Sequence, residues 1–326
     1  MSFNCSVPIG PLTGTARIVY GASLMATSVV SFGFQAVLAV VCHKLKGWKS
    51  DFAFYLLQIM AIFGMISYIG FFIAYLHGNV MFESRFISKL TGTIYYGCFF
   101  SFVMSNFCLT AHRLVYTLFP VIAHKVLSKT IGKVCISSIF IFLLVYFIVS
   151  MTPLGSTVFC EGLFRFRNEK RLLKPVVSVM NEVSNYLVGI VNVSAYFVIF
   201  TTLYIKGRLN FKRNRALRMT VQVAVVSVLE LIFYAYWQYR PRLGAPTWRK
   251  IMDQFSVVLY YDVLMLPYVV LNRSVQNEMR KIVYEGPCAV FNSAKHCSIY
   301  YSGTVARRTA PAVQHSSTRA DPNTIH

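Results

Sequence analysis

The sequence predicts an all-α integral membrane protein. The expected architecture is a seven-transmembrane helix bundle, amino terminus outside, with a short amphipathic surface helix after span seven. Three observations carry that expectation. The 326-residue chain is 56% apolar and only 13% charged, whereas soluble domains hold about 25% charged residues. Its basic residues gather in short clusters between long apolar runs. Those runs have spanning length, since a transmembrane helix needs about 20 mostly apolar residues. The net charge of +21 sits in clusters between runs rather than along one face or tail. It therefore points to membrane loops and not to nucleic acid.

Residues 1–17 read as an extracellular amino-terminal segment. They are polar and contain Pro and Gly, without the basic start and short apolar core of a secretory signal. The first span would itself direct insertion. Ile18–Cys42, Phe52–Leu76, Leu90–Ala111, Val134–Cys160 and Val183–Ile205 contain no Asp, Glu, Lys or Arg and read as spans one to five. Met219–Tyr239 and Gln254–Asn272 carry one acid each, Glu230 and Asp262, and read as spans six and seven. Pro267 falls inside the seventh, where it frees a backbone carbonyl and kinks the helix. In "RSVQNEMRKIVY", Val275, Met279, Ile282 and Val283 share one helical face opposite polar residues. That is the pattern of a helix lying on a membrane surface. The helix bundle thus covers 18–285, and 286–326 reads as a disordered cytoplasmic tail rich in Ser, Thr, Pro and His.

Orientation follows from Lys and Arg. With the amino end outside, the inner segments hold 16 and the outer segments 12. The bias favours this orientation, against the outer cluster "RFRNEKRLLK". Of three sequons, Asn192 lies inside a span and Asn272 faces the cytoplasm, leaving Asn4 as the glycosylation candidate.

Several residues could carry a mechanism. Arg113 follows His112 at the inner end of span three, inside a run that stays apolar beyond it; from position alone it reads as a snorkelling interface arginine. Glu230 and Asp262 both lie roughly 17 Å from the inner edge of their spans, near the middle of a core about 30 Å thick. Ionisable groups there are costly, so both are expected to face the bundle interior. There they would be neutral, share a proton, or bond to backbone and hydroxyl groups. Cys5 and Cys160 both fall outside, where they could pair or stand separately. Cys288 and Cys297 follow the surface helix as palmitoylation candidates or ordinary thiols. The seven His residues are scattered and form no metal cluster. Neither an enzyme nor a cofactor is expected.

The stretch "AHRLVYTLFPVIAHKVLSKT" is similar to nematode serpentine chemoreceptors of the Srx and related classes, which are rhodopsin-like G-protein-coupled receptors. His112-Arg113, Phe119-Pro120, Ser128 and Thr130 carry the resemblance. It implies a plasma-membrane receptor, with the sensory cilium as a candidate site and a small chemosensory (olfactory) molecule as ligand. Its partner would be a heterotrimeric G protein. Arg113 would then contact span six or the G protein. His112 and Pro120 belong to the same switch region, with Lys206, Arg208, Lys212, Arg213 and Arg215 bordering the cleft. Tyr95, Tyr96, Phe99, Tyr260 and Tyr261 would line a ligand pocket in the outer half. The chain departs from the pattern in several places. His112 stands where these receptors carry Asn or Asp, span seven has Leu-Pro-Tyr-Val-Val, and Ser88 stands where a cysteine usually anchors the second outer loop. That last departure leaves Cys5–Cys160 as the substitute disulfide the resemblance implies. The rival expectation is a multi-pass transporter or channel using Glu230 and Asp262.

Overall fold

A computed structural model describes residues 14–45, 52–80, 84–119, 123, 129–155, 157–169, 171–205, 215–239 and 246–285. The chain forms one compact unit over Met1–Lys281 and a second over Ile282–His326. Eight helices occur among the described residues: α1 Gly14–Lys44, α2 Phe52–Val80, α3 Arg85–Leu118, α4 Lys129–Met151, α5 Lys174–Ile205, α6 Arg215–Tyr239, α7 Pro246–Leu271 and α8 Arg273–Glu285. Six of them, α1 to α5 and the Ile251–Leu271 part of α7, are long and apolar enough to cross a membrane. Only helices and closed barrels satisfy every backbone polar group without water, which is why such apolar runs become uninterrupted helices.

Helices α2 and α3 form the centre, and α4 lies at the periphery, largely exposed. Its exposed Ile141, Leu144, Val145 and Ile148 recur at helical spacing and make an apolar outer stripe suited to lipid. Helix α5 contains a π-helical turn at Leu187–Asn192. There the backbone of Gly189 meets the Tyr234 side chain of α6; an added Cβ would lie 2.1 Å from the ring. Glycine is what permits that approach. Helix α8 is capped by Asn272, whose Oδ1 accepts from the backbone N–H groups of Ser274 (3.1 Å) and Val275 (3.4 Å). That sequon asparagine therefore has a local structural role.

The boundaries correct the sequence reading in four places. Helix α1 begins at Gly14, so Arg17 lies within it and is buried. Helix α4 ends at Met151, not Cys160. Thr152 precedes Pro153, which disfavours helix in the residue before it. Thr157–Cys160 is instead strand β1, antiparallel to β2, Arg165–Asn168, with Cys160 opposite Arg165. The basic cluster "RFRNEKRLLK", taken as an outer loop, is this second strand and the approach to α5, which starts at Lys174. Helix α7 likewise begins at Pro246, ahead of Gln254. Apolar strand residues and amphipathic helical extensions share one apolar vocabulary with spans, so absence of charge alone did not separate them.

Candidate functional site

The hairpin closes one end of the bundle. Arg17 of α1 donates to three backbone carbonyls: Gly78 (2.8 Å) at the end of α2, and Glu161 (2.8 Å) and Gly162 (3.4 Å) in the hairpin turn. Its guanidinium also lies 4.6 Å from the centre of the Phe164 ring. The Glu161 carboxylate accepts from the Ser88 hydroxyl at 2.9 Å and lies 3.2 Å from His77 Nδ1. The backbone N–H of Ser84 donates to His77 Nε2 at 3.3 Å. Where a receptor's cysteine would tie α3 to this loop, Ser88 does so by a hydrogen bond. Cys160, next to Glu161, is disulfide-bonded. Cys42, Cys98, Cys108 and Cys135 are free, so the partner of Cys160 lies outside the described residues, as Cys5 does.

Below the hairpin is a cavity of about 100 Å³ lined by Tyr95, Tyr96 and Phe99 of α3, Arg165 and Phe166 of β2, Asn181 and Asn185 of α5, Trp237 of α6, and Asp253, Gln254, Val257 and Tyr260 of α7. Four of the five aromatic residues expected at a ligand pocket stand here. Tyr261, the fifth, lies outside this lining. Its hydroxyl is hydrogen-bonded to that of Ser67 at 3.1 Å, and its ring packs edge-on against Phe102 of α3.

Farther in, Glu230 of α6 is fully buried. One oxygen, Oε1, accepts from Asn106 Nδ2 of α3 (2.5 Å) and Asn192 Nδ2 of α5 (3.3 Å). The other, Oε2, has no hydrogen-bond partner among the described residues. The π-helical turn of α5 ends on Asn192 and so helps set that amide against Glu230. Polar groups continue inward. The Thr110 hydroxyl donates to the Asn106 carbonyl (3.0 Å) and is hydrogen-bonded to the Tyr196 hydroxyl (2.9 Å). Tyr196 neighbours Tyr268 of α7, and the Arg113 guanidinium lies 5.0 Å from the centre of the Tyr268 ring.

Arg113 therefore points into the bundle rather than snorkelling to an interface, and its Nε and Nη1 are buried without hydrogen-bond partners. Among the described residues its guanidinium lies near Tyr268 of α7 and Tyr196 of α5. His112 packs between Phe52 and Tyr116, with ring centres 5.2 Å and 4.7 Å away.

Asp262 belongs to a different cluster. Its Oδ1 accepts from Gln35 Nε2 of α1 at 2.8 Å, while the Tyr68 hydroxyl of α2 donates to the Val258 carbonyl at 2.8 Å. The amide partners of Glu230 come from α3 and α5, and that of Asp262 from α1. Pro267 is buried within α7. Asn4, Cys5, Pro120, Lys206, Arg208, Lys212, Arg213, Cys288 and Cys297 lie outside the described residues, and Arg215 is described only as the first residue of α6. Among the described residues, no group of three or more His, Cys, Asp or Glu is placed to hold a metal ion.

Sequence reasoning missed Asn106, Asn192, Gln35, Arg165 and Asp253. The first three are amides inside otherwise apolar runs, where an unsatisfied polar group is costly; that signal was present. Asn192 was considered only as a sequon.

Together the helices and their buried polar groups define a multi-spanning, mostly α-helical integral membrane protein. Neither protein-family models nor curated proteins match the sequence.

Proposed function

We propose that the chain is a multi-pass transporter or channel that handles an ion or small polar molecule at Glu230. The observation that carries this is the carboxyl group itself, fully buried, with one oxygen held by two amides and the other without a partner. Buried polar atoms are normally satisfied, and intramembrane acids mark ion and proton pathways. The outer cavity ends on Tyr260, a neighbour of Glu230, which supplies an approach from one side. Asp262 adds a second acid on the adjacent helix. In purified form in lipid vesicles, the protein should carry flux or current without any G protein, and Glu230→Gln should abolish it. Flux that persists unchanged in that variant would overturn the reading; Asp262→Asn tests the second acid in the same way.

Arg113 favours a second reading, a G-protein-coupled receptor for a small chemosensory molecule in the plasma membrane. Here α6 would be the remaining span, the amino end would face outward, and α8 would lie on the inner membrane surface. Agonist would favour a state with the inner ends of α3, α5 and α6 apart, at the expense of the Arg113–Tyr268 contact. Ligand-stimulated nucleotide exchange should then be lost in Arg113→Ala at normal surface expression. Full signalling by that variant would count against it.

A further inference from the structure

We propose that the end of the bundle opposite the hairpin holds a phosphate group, bound by the Arg113 guanidinium and the Tyr268 hydroxyl. The site is separate from Glu230 and does not rest on the transport reading. At 1.5 Å per residue, α3 carries Arg113 roughly 37 Å from Ser88 at the hairpin. Arg113 Nε and Nη1 are buried and donate to nothing among the described residues. The guanidinium lies 5.0 Å from the centre of the Tyr268 ring, a contact that uses its charge and leaves its N–H donors idle. Tyr268 is 2% exposed, and its hydroxyl is likewise buried without a partner among the described residues. The two side chains are close enough to interact electrostatically. Two guanidinium N–H groups and a phenolic O–H therefore stand unused around one fixed positive charge.

Glu230 can become neutral by taking a proton, but Arg113 cannot become neutral by losing one. A buried charge without a counter-charge is strongly unfavourable. None of the ion pairs among the described residues includes Arg113. The neighbouring sequence offers no anion either. From Arg113 to Lys133 the chain holds four Lys or Arg and no Asp or Glu. Helix α5 passes Arg113 at Tyr196, and from Lys206 to Arg218 beyond it there are six Lys or Arg and again no acid. Water would satisfy the donors and leave the charge. A halide or carboxylate would cancel one charge in a setting that holds many. A phosphate brings more than one negative charge, and its oxygens match the donor geometry of a guanidinium. The group is free in solution or carried on a lipid headgroup, with the same chemistry at Arg113.

The full chain in neutral phosphatidylcholine nanodiscs, titrated by calorimetry with inorganic phosphate, should show saturable binding. Arg113→Gln should weaken it at least about tenfold, as expected for a lost charge-assisted hydrogen bond, and Tyr268→Phe several-fold. Lys133→Gln removes one exposed charge from the same basic segment and should change binding less than about twofold. A headgroup occupant would instead appear in nanodiscs containing phosphatidic acid, as that lipid retained on the purified protein by mass spectrometry, with the same ranking of variants. Free-phosphate binding assigns a soluble ligand, lipid retention alone assigns a headgroup, and both support the site. Absence of both would overturn it, as would an effect of Arg113→Gln no larger than that of Lys133→Gln. If Arg113→Gln does not fold, Tyr268→Phe keeps the ring against the guanidinium and still decides, because unchanged binding in that variant overturns the site. These titrations read neither flux nor nucleotide exchange. Glu230→Gln protein should bind phosphate like wild type, so failure of transport and failure of this site are distinguishable.

Discussion

The two glutamates buried among the described residues have different surroundings. Glu161, in the hairpin turn, has a hydroxyl and an imidazole on its carboxylate, and the Arg17 guanidinium on its backbone carbonyl. Glu230, in the middle of α6, has two amides on one oxygen and nothing on the other. Burying a charge is tolerable when an opposite charge and full hydrogen bonding accompany it. The hairpin cluster puts a hydroxyl and an imidazole beside its carboxylate and a guanidinium on its backbone, and joins α1, α2, α3 and the loop into one end-cap. Glu230 has only amides on its carboxylate among the described residues, and the flux proposed above would make use of its second oxygen. Asp262 falls between the two, with its oxygens facing Gln35, Ser31 and Tyr68.

Stability measurements can break that contrast. Arg17→Ala should show the largest effect, about 3–5 kcal/mol, because it leaves the carbonyls of Gly78, Glu161 and Gly162 without their charged donor. Denaturation of the purified protein reads it, and an unchanged melting temperature would mean that the end-cap is not a lock. Gly92→Ala should follow. A Cβ there would lie 2.9 Å from the Thr157 carbonyl carbon and oxygen and from the Val158 nitrogen, so α3 must move from β1, at about 1–3 kcal/mol. Gly33→Ala, with nothing within 4 Å of the added carbon, is the matched control and should be neutral or stabilising by up to about 1 kcal/mol. Glu230→Gln keeps an acceptor oxygen for Asn106 and Asn192. Its stability should stay within about 1 kcal/mol of wild type while flux is lost. A large destabilisation would move Glu230 into the same structural class as Glu161.

Much of the helical frame was legible in the sequence because lipid imposes a length and a composition on each crossing. The runs from Ile18, Phe52 and Leu90 each fall inside one helix. The hairpin was hidden because its first strand is apolar and charge-free, like the span before it. The alternation in Phe164-Arg165-Phe166-Arg167, buried and less buried by turns, was a strand signal that the count of basic residues obscured. The depth of Glu230 and Asp262 could be estimated from helical rise, but which neighbours each would find could not. Helix rotation decides that, and rotation is set by packing such as that of Gly189 against Tyr234, which no single-helix pattern contains. Arg113 is the same case: its position at the end of an apolar run suits an interface residue, and only the placement of α7 turns it inward onto Tyr268.

The smallest predicted effect is also the one that joins the cavity to the acid. Tyr260 is fully buried between Trp237, Phe233 and Phe99, with ring centres at 5.0, 5.3 and 5.8 Å. Its hydroxyl has no hydrogen-bond partner among the described residues. Packing alone therefore uses the ring and gains nothing from the oxygen. Tyr260→Phe keeps every ring contact and removes a buried unsatisfied group, so stability should hold or rise by up to about 1 kcal/mol. If the hydroxyl passes a ligand or ion from the cavity toward Glu230, the same variant should lower flux. Undiminished flux would separate the cavity from Glu230 and leave them as two independent sites stacked in one bundle.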